Sequence, residues 1–151
     1  MSYRSLSLLV AALVALHGAT ADAQKTAKLQ WGPAPPVLPA GARMAVVSGD
    51  PGKAAMFTVQ LEMPAGYVVP PHWHPTDEHV TVKSGQFRYA MGDKIDEKAT
   101  KALRPGQSVN LQAKMNHYAM ARGRTVVAIS GMGPFQITYV NPADDPQKMK
   151  P

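Results

Sequence analysis

Residues 66–85 decide how this chain folds, and they read Gly66-Tyr-Val-Val-Pro-Pro-His72-Trp-His74-Pro-Thr-Asp-Glu78-His79-Val-Thr-Val-Lys-Ser-Gly85. His72 and His74 are two residues apart in an extended stretch, so both imidazoles project from the same face. The Pro-Thr-Asp segment that follows can reverse the chain and bring Glu78 beside them. The stretch therefore predicts two imidazoles and one carboxylate that lie close together.

The strand that begins at Glu78 determines where the next histidine points. Successive side chains of a strand project to opposite faces. If Glu78 points inward together with Val80 and Val82, then His79 points outward. His79 is therefore a poor candidate for a metal ligand, despite its position beside Glu78.

From residue 43 onward, short apolar runs alternate with turn residues. In residues 56–62 the alternation has a period of two, which places Phe57, Val59 and Leu61 on one face; Phe87, Tyr89 and Met91 share a face in the same way. Strands are predicted at residues 45–47, 56–62, 67–69, 78–83, 86–91, 108–111, 117–120, 125–130 and 135–140. Only residues 93–102 have a pattern compatible with a helix. Many short strands with Gly/Pro turns indicate an all-β barrel or sandwich.

The spacing in residues 66–85 resembles the first motif of the cupin family. That motif is a Gly, five residues, His-x-His, three or four residues, Glu, six residues and Gly, and the chain matches it at Gly66, His72, His74, Glu78 and Gly85. The resemblance extends over about residues 43–140, which is most of the chain after the leader. It implies a single cupin-type jelly-roll β-barrel.

A second cupin motif is matched only in part. Its usual form is a Gly, five residues, Pro-x-Gly, two residues, His, three residues and Asn. Gly106 and His117 occupy the first Gly and the His positions, but Gln112, Lys114 and Ala121 replace Pro, Gly and Asn. The ligating atom is retained, whereas the three replacements leave the conformation of the loop before it open.

The resemblance implies that His72, His74, Glu78 and His117 are the ligands of one metal ion. Three imidazoles and a carboxylate suit a divalent transition metal such as Fe, Mn, Ni, Cu or Zn, rather than Ca or Mg. Four protein ligands leave one or two positions open on a five- or six-coordinate ion. The alternatives are a closed site that stabilises the fold, or polar side chains buried in the core without a metal.

Two classes of function are compatible with such a centre. In the first, an apolar substrate lies over an open metal position and undergoes oxygenase chemistry of the kind found in cupin dioxygenases, with Glu78 as ligand and catalytic proton acceptor. Isomerase or lyase chemistry on a small carbonyl compound fits the same ligands. In the second class, the protein captures a small molecule or the ion without turnover, as a sensor or carrier. Lys114 and Tyr118 are the only further acid/base candidates near the motif.

Residues 1–23 have the pattern of a secretory signal peptide. Arg4 gives a positive start, and the apolar stretch at residues 6–16 is too short to span a bilayer. Small residues allow cleavage after Ala21 or Ala23, and cleavage after Ala23 is preferred. The protein is therefore expected to be periplasmic or secreted. Because the sequence contains no cysteine, disulfides, thiolate ligands and a cysteine nucleophile are excluded.

Three further segments are predicted after the signal peptide: a Pro-rich N-terminal arm at residues 24–42, the cupin barrel at residues 43–140 and a C-terminal tail at residues 141–151. The arm cannot be helical. It either packs along the barrel or forms a flexible linker, and Trp31 favours packing.

The net charge of +6 is spread along the chain without a dense basic run. Aromatic residues do not alternate with arginines as they do on single-stranded nucleic-acid platforms. The predicted partner is therefore a small-molecule ligand or substrate, with no nucleic acid and no membrane span after processing. A homodimer, which is common in the family, is compatible with the sequence.

Overall fold

Antiparallel strands account for nearly all regular structure in the computed structural model, which describes residues 28–148. The strands are β1 (Gly32–Pro33), β2 (Arg43–Ser48), β3 (Met56–Met63), β4 (Val68–Trp73), β5 (Glu78–Ser84), β6 (Phe87–Met91), β7 (Lys101–Leu103), β8 (Ser108–Leu111), β9 (His117–Ala121), β10 (Thr125–Met132) and β11 (Thr138–Tyr139). Two short 3-10 turns lie at Glu97–Ala99 and Pro142–Asp144. No helix in this described part is long and apolar enough to cross a membrane.

The strands form two sheets with the core between them. One sheet has six strands in the order β1-β2-β3-β10-β5-β8, and the other has five in the order β11-β4-β9-β6-β7. Every pairing is antiparallel, and many neighbours in the sheets are distant in sequence, as in β3 with β10. This is the double-sheet arrangement of a jelly roll. The predicted all-β class is confirmed.

Strand β3 shows why the sequence folds in this way. Phe57, Val59 and Leu61 are each at most 5% exposed, whereas the intervening Thr58 and Gln60 are half-buried. Alternation with a period of two sends every second side chain into the core. The inner face of β3 becomes one wall of the interior, where the candidate site lies.

Two predictions for the second half of the chain need correction. Within residues 93–102 the only helical part is the 3-10 turn Glu97–Ala99, and residues 101–102 already belong to β7, which pairs with β6. A segment this short forms few helical hydrogen bonds, and these do not offset the unfavourable free energy of helix nucleation. Pairing with the edge of β6 gives its last residues the hydrogen bonds of a β-ladder instead. Within residues 135–140 only Thr138–Tyr139 is a strand, because the amide of Phe135 donates to the carbonyl of Pro51 at 2.7 Å instead of joining a ladder.

The described part of the Pro-rich arm packs along the barrel. Leu38 is 8% exposed and belongs to the hydrophobic core. The hydroxyl of Tyr139 donates to the carbonyl of Val37 at 2.8 Å, and that of Tyr67 donates to the carbonyl of Pro39 at 2.5 Å. The packed alternative is therefore the correct one for residues 28–42. The predicted signal peptide, residues 24–27 and residues 149–151 lie outside the described residues.

Candidate metal centre

Three strands bring the predicted ligands together. His72 lies near the end of β4, His74 follows just beyond that strand, Glu78 begins β5 and His117 begins β9. In the β4–β9 ladder His72 is the direct partner of His117, and their ring centroids are 4.3 Å apart. This cross-strand pairing joins residues that are far apart in sequence.

Backbone carbonyls orient all three imidazoles. The Nδ1 atoms of His72 and His74 lie 2.6 Å from the carbonyl oxygens of Pro70 and Gln136. The Nδ1 atom of His117 lies 2.9 Å from the carbonyl oxygen of Met115. A carbonyl only accepts hydrogen bonds, so each neutral ring carries its proton on Nδ1 and presents the lone pair of Nε2 to the interior. This is the usual outer-shell arrangement of metal-ligating histidines.

The inward-facing nitrogens of the three histidines lie close together, and Glu78 approaches two of them. One ligating nitrogen from each of the three histidines lies within 4.8 Å of the other two. The two carboxylate oxygens of Glu78 approach from β5, one 3.7 Å from His74 Nε2 and the other 3.7 Å from His117 Nε2. Two ligands that each lie about 2.1 Å from one metal are roughly 3 to 4 Å apart. The two 3.7 Å distances therefore fit a metal ion held between Glu78 and each of these two histidines.

Two of these nitrogens have no hydrogen-bond partner within the described chain. His74 Nε2 and His117 Nε2 are both buried without one. Buried polar atoms are nearly always paired, because leaving one unpaired costs about 1 to 3 kcal/mol. A metal ion would satisfy both atoms at once, so the donor set fits a transition metal.

The protonation states suit metal binding as well. Burial acts to raise the pKa of Glu78, but the imidazoles of His117, His74 and His72 outweigh it and hold that pKa below its usual value. At 3.7 Å the His117–Glu78 contact is longer than a hydrogen bond, so this attraction acts through space. Burial, reinforced by the charges of His117 and His74, lowers the pKa of His72 to about 3. At neutral pH Glu78 is therefore anionic and His72 is neutral, as metal ligation requires.

The space beside these ligands is small and largely apolar. A cavity of about 50 Å³ is bordered by the four predicted ligands and by apolar side chains that include Leu38, Phe87 and Ile137. A cavity needs a volume of about 10 to 15 Å³ to hold one water molecule. The cavity therefore has room for only a few atoms next to an ion.

The loop before His117 keeps a glycine-like backbone even though it lacks the glycine. Lys114 has a φ of 62° and is the one non-glycine residue with positive φ among residues 28–148. Its amide donates to the carbonyl of His74 at 2.8 Å, which ties this loop to the first motif. The backbone at Lys114 therefore adopts the left-handed conformation that glycine favours.

The other candidates near the motif lie away from the cavity. Tyr118 is buried on the opposite face of β9, where its hydroxyl donates to the carbonyl of Asp96 at 2.8 Å. Neither Tyr118 nor Lys114 lines the cavity, so neither can serve there as an acid or base. His79 is exposed, as the strand alternation predicts.

Several contributors to the site were not predicted from the sequence. The carbonyl of Gln136 positions His74, and Leu38 and Phe135 line the cavity. The ring of Phe135 lies 5.2 Å from that of His74, centroid to centroid. Phe135 lies in a predicted strand and is apolar, which was the only signal available. A backbone carbonyl leaves no signal in the residue type.

A family comparison agrees with this geometry. The family model described as the ChrR cupin-like domain matches residues 19–98, just over half of the chain. The chain belongs to this cupin family. The match includes the first motif and ends before His117, so the second motif, from which the fourth candidate ligand of this cupin was predicted, lies outside it.

Solved structures share the cupin fold at low identity. The polyketide cyclase RemF from Streptomyces resistomycificus has a TM-score of 0.57 at 17% identity, over 70% of this chain and 75% of that one. KdgF from a Halomonas species has a TM-score of 0.52 at 19% identity, over 69% and 86%. An RmlC-like cupin from Shewanella frigidimarina has a TM-score of 0.52 at 16% identity, over 61% and 76%. A search of the curated proteins found no significant match.

Proposed function

We propose that this cupin binds one transition-metal ion through His72, His74, Glu78 and His117 and acts on a small organic molecule as an oxygenase-like enzyme. The observation that carries the proposal is the set of three buried imidazoles, each fixed by a carbonyl at Nδ1. Fe, Mn, Ni and Cu fit this donor set and are redox-active, whereas Zn fits it without redox chemistry.

The residues around the centre have distinct roles in such a reaction. A bound redox-active metal would supply Lewis-acid and one-electron chemistry to a ligand at its open position. Glu78 is ionised at neutral pH and accepts the proton of a substrate hydroxyl that comes within hydrogen-bond reach. The apolar wall that includes Val80, Leu111 and Phe87 excludes water from the same space.

Metal content tests the ligand assignment. The wild-type protein, purified from its native compartment, is expected to carry close to one transition-metal ion per chain. A variant with both His72→Ala and His74→Ala should lose the metal, whereas His79→Ala, which changes an exposed neighbour, should retain it. A wild-type protein that stays metal-free after reconstitution would refute the assignment.

Oxygen uptake tests the reaction class. The metal-loaded protein is expected to consume dioxygen with phenols or diketones as substrates, and the His72→Ala/His74→Ala protein is not. A loaded protein that binds these compounds without consuming oxygen or converting them would contradict the oxygenase proposal.

One observation favours a non-catalytic alternative, in which the centre captures a small molecule or the ion itself. Among residues 28–148, Glu78 is the only carboxylate that lines the metal cavity. Since Glu78 is also a predicted ligand, no second carboxylate among these residues lines the cavity to act as an acid or base. Tight binding without turnover would support this sensor or carrier function.

We also propose that the protein is exported to the periplasm or secreted, on the basis of the leader pattern in residues 1–23. The protein isolated from its native host is expected to have the mass of a chain that begins at Gln24. A cytoplasmic protein that keeps Met1 would contradict export.

A further inference from the structure

A second cavity lies beside the metal cavity, between the Pro-rich arm and the six-stranded sheet. Its volume is about 250 Å³, against about 50 Å³ for the space at the ligands. Val37 and Leu38 of the arm border it, as do Met44 of β2 and Phe57 and Val59 of β3. We call it the arm cavity.

The arm cavity and the metal cavity share a wall. Leu38, Leu61, Ile129 and Phe135 line both spaces. The Phe135 ring lies against the His74 ring at 5.2 Å between centroids, so one side chain of the shared wall lies next to a predicted ligand. A molecule in the arm cavity therefore has one end next to the metal centre.

The lining of the arm cavity limits the charge of its ligand. Every side chain that borders it is a hydrocarbon or a thioether, apart from one glycine. A charged group placed there would lose its hydration without gaining a partner, which is strongly unfavourable. The body of the ligand must therefore be neutral and apolar.

The two volumes limit its size. An apolar cavity of about 150 Å³ lined by Leu, Ile and Phe is known to bind benzene. The arm cavity is larger, about 250 Å³, and fits a body of two fused rings. The metal cavity, at about 50 Å³, has room only for a small polar end.

We propose that the arm cavity binds the apolar body of the substrate, a neutral aromatic compound of about two rings, with a single oxygen group directed past Phe135 toward the metal. The position of the oxygen rests on the proposed function of the metal centre. The binding of the apolar body does not, because the arm cavity borders none of the predicted metal ligands.

Titration of the full-length protein with naphthalene tests the apolar site without involving the metal. The wild type is expected to bind naphthalene, and naphthalene-2-sulfonate, its charged analogue, is expected not to bind. Val59→Phe and Met44→Trp each place a larger side chain in the arm cavity and should weaken binding by at least about tenfold. Two separate filling variants keep the test decisive if one of them does not fold.

Val126→Phe is the matched control, because Val126 is a half-buried residue on the outward face of β10 and borders neither cavity. Its affinity for naphthalene should stay within about twofold of the wild type. No binding of naphthalene to the wild type, or equal binding to both folded filling variants, would overturn the arm-cavity site.

A second titration with 2-naphthol separates the apolar site from the metal centre. The metal-loaded wild type should bind 2-naphthol more tightly than the His72→Ala/His74→Ala protein, while naphthalene binds both equally. If naphthalene binds but the wild type takes up no metal, the apolar site stands and the proposed metal function fails. If metal loads but does not change the affinity for 2-naphthol, the proposed direction of the oxygen group is wrong.

Discussion

Lys114 carries a side chain at a position where the backbone favours glycine. Its φ of 62° lies in the left-handed region, which costs a residue with a Cβ about 1 to 2 kcal/mol. The conformation persists because the Lys114 amide is bonded to the carbonyl of His74. The backbone contact thus connects the loop of the second motif to a predicted ligand of the first.

We expect Lys114→Gly to raise the free energy of unfolding by up to about 1 kcal/mol, because relief of strain exceeds the added entropy of the unfolded chain. Urea denaturation measures this change. Lys83→Gly is the control, since Lys83 is exposed inside β5, and it should lower stability by about 0.5 to 1 kcal/mol. Equal losses from both substitutions would contradict the prediction.

We expect His72 and Glu78 to make the metal-free protein sensitive to acid. Burial and the neighbouring imidazoles lower the pKa of His72 to about 3, against about 6.5 for an unperturbed histidine. A group whose pKa is lower in the folded state stabilises the fold above its unfolded pKa, and this contribution is lost as the pH falls toward the folded value. Glu78, whose pKa is lowered from 4.5, acts in the same direction at lower pH.

The free energy of unfolding of the metal-free protein should therefore fall by about 1.4 kcal/mol per pH unit below about pH 6.5. Urea denaturation of chelator-treated protein at a series of pH values measures the slope. His72→Gln should flatten the slope down to about pH 5, and His79→Gln should leave it unchanged. If the stability of the His72→Gln protein falls with pH as steeply as that of the wild type, protonation of His72 is not the cause of the pH dependence.

At the scale of elements, the Pro-rich arm is held by two tyrosines from different segments of the chain. Tyr67 lies just before β4 and Tyr139 lies in β11, and their hydroxyls donate to the carbonyls of Pro39 and Val37. Burial raises the pKa of Tyr67 to about 12, so this hydroxyl keeps its proton and remains a donor at physiological pH. Burial also raises the pKa of Tyr139, helped by the charges of Tyr67, Asp145 and Asp144. These contacts keep Leu38 over both cavities.

Loss of either hydroxyl should loosen the arm. We expect Tyr67→Phe and Tyr139→Phe each to lower the free energy of unfolding by about 1 kcal/mol. Hydrogen exchange at the Ala34 amide, which is bonded to the carbonyl of Ala42 at 3.0 Å, should accelerate. Tyr118→Phe removes two hydrogen bonds between the Tyr118 hydroxyl and the backbone of Asp96, away from the arm, and should leave that exchange rate unchanged. Acceleration in all three variants would point to a global effect instead.

At the scale of the whole molecule, the proposed metal centre links the two motifs and three strands. Because the ligand set is assembled only in the folded state, metal binding is expected to stabilise the whole domain. At a free metal concentration 100 times the Kd, the gain is about 2.7 kcal/mol. The unfolding temperature should rise on metal addition and return on chelation, in the wild type but not in His72→Ala/His74→Ala. Metal uptake that leaves the unfolding temperature unchanged would contradict this coupling.

Much of this architecture could be read from local patterns. The period-two alternation around Phe57 and Val80 and the Gly/Pro turns predicted nearly every strand, because alternation and turn chemistry are properties of neighbouring residues. The spacing of His72, His74 and Glu78 predicted which side chains face one another. The position of β7 was missed, because it depends on the edge that β6 offers rather than on its own three residues.

The sequence by itself determined the strand pattern, the family and the set of candidate ligands. Only the tertiary structure decided that His72 faces His117 across a ladder, that the carbonyl of Gln136 orients His74, and that the arm folds over the metal cavity. These features join segments far apart in the chain, and two of them depend on backbone atoms that every residue shares. Long-range contacts of this kind leave no local periodicity, so only the packed fold reveals them.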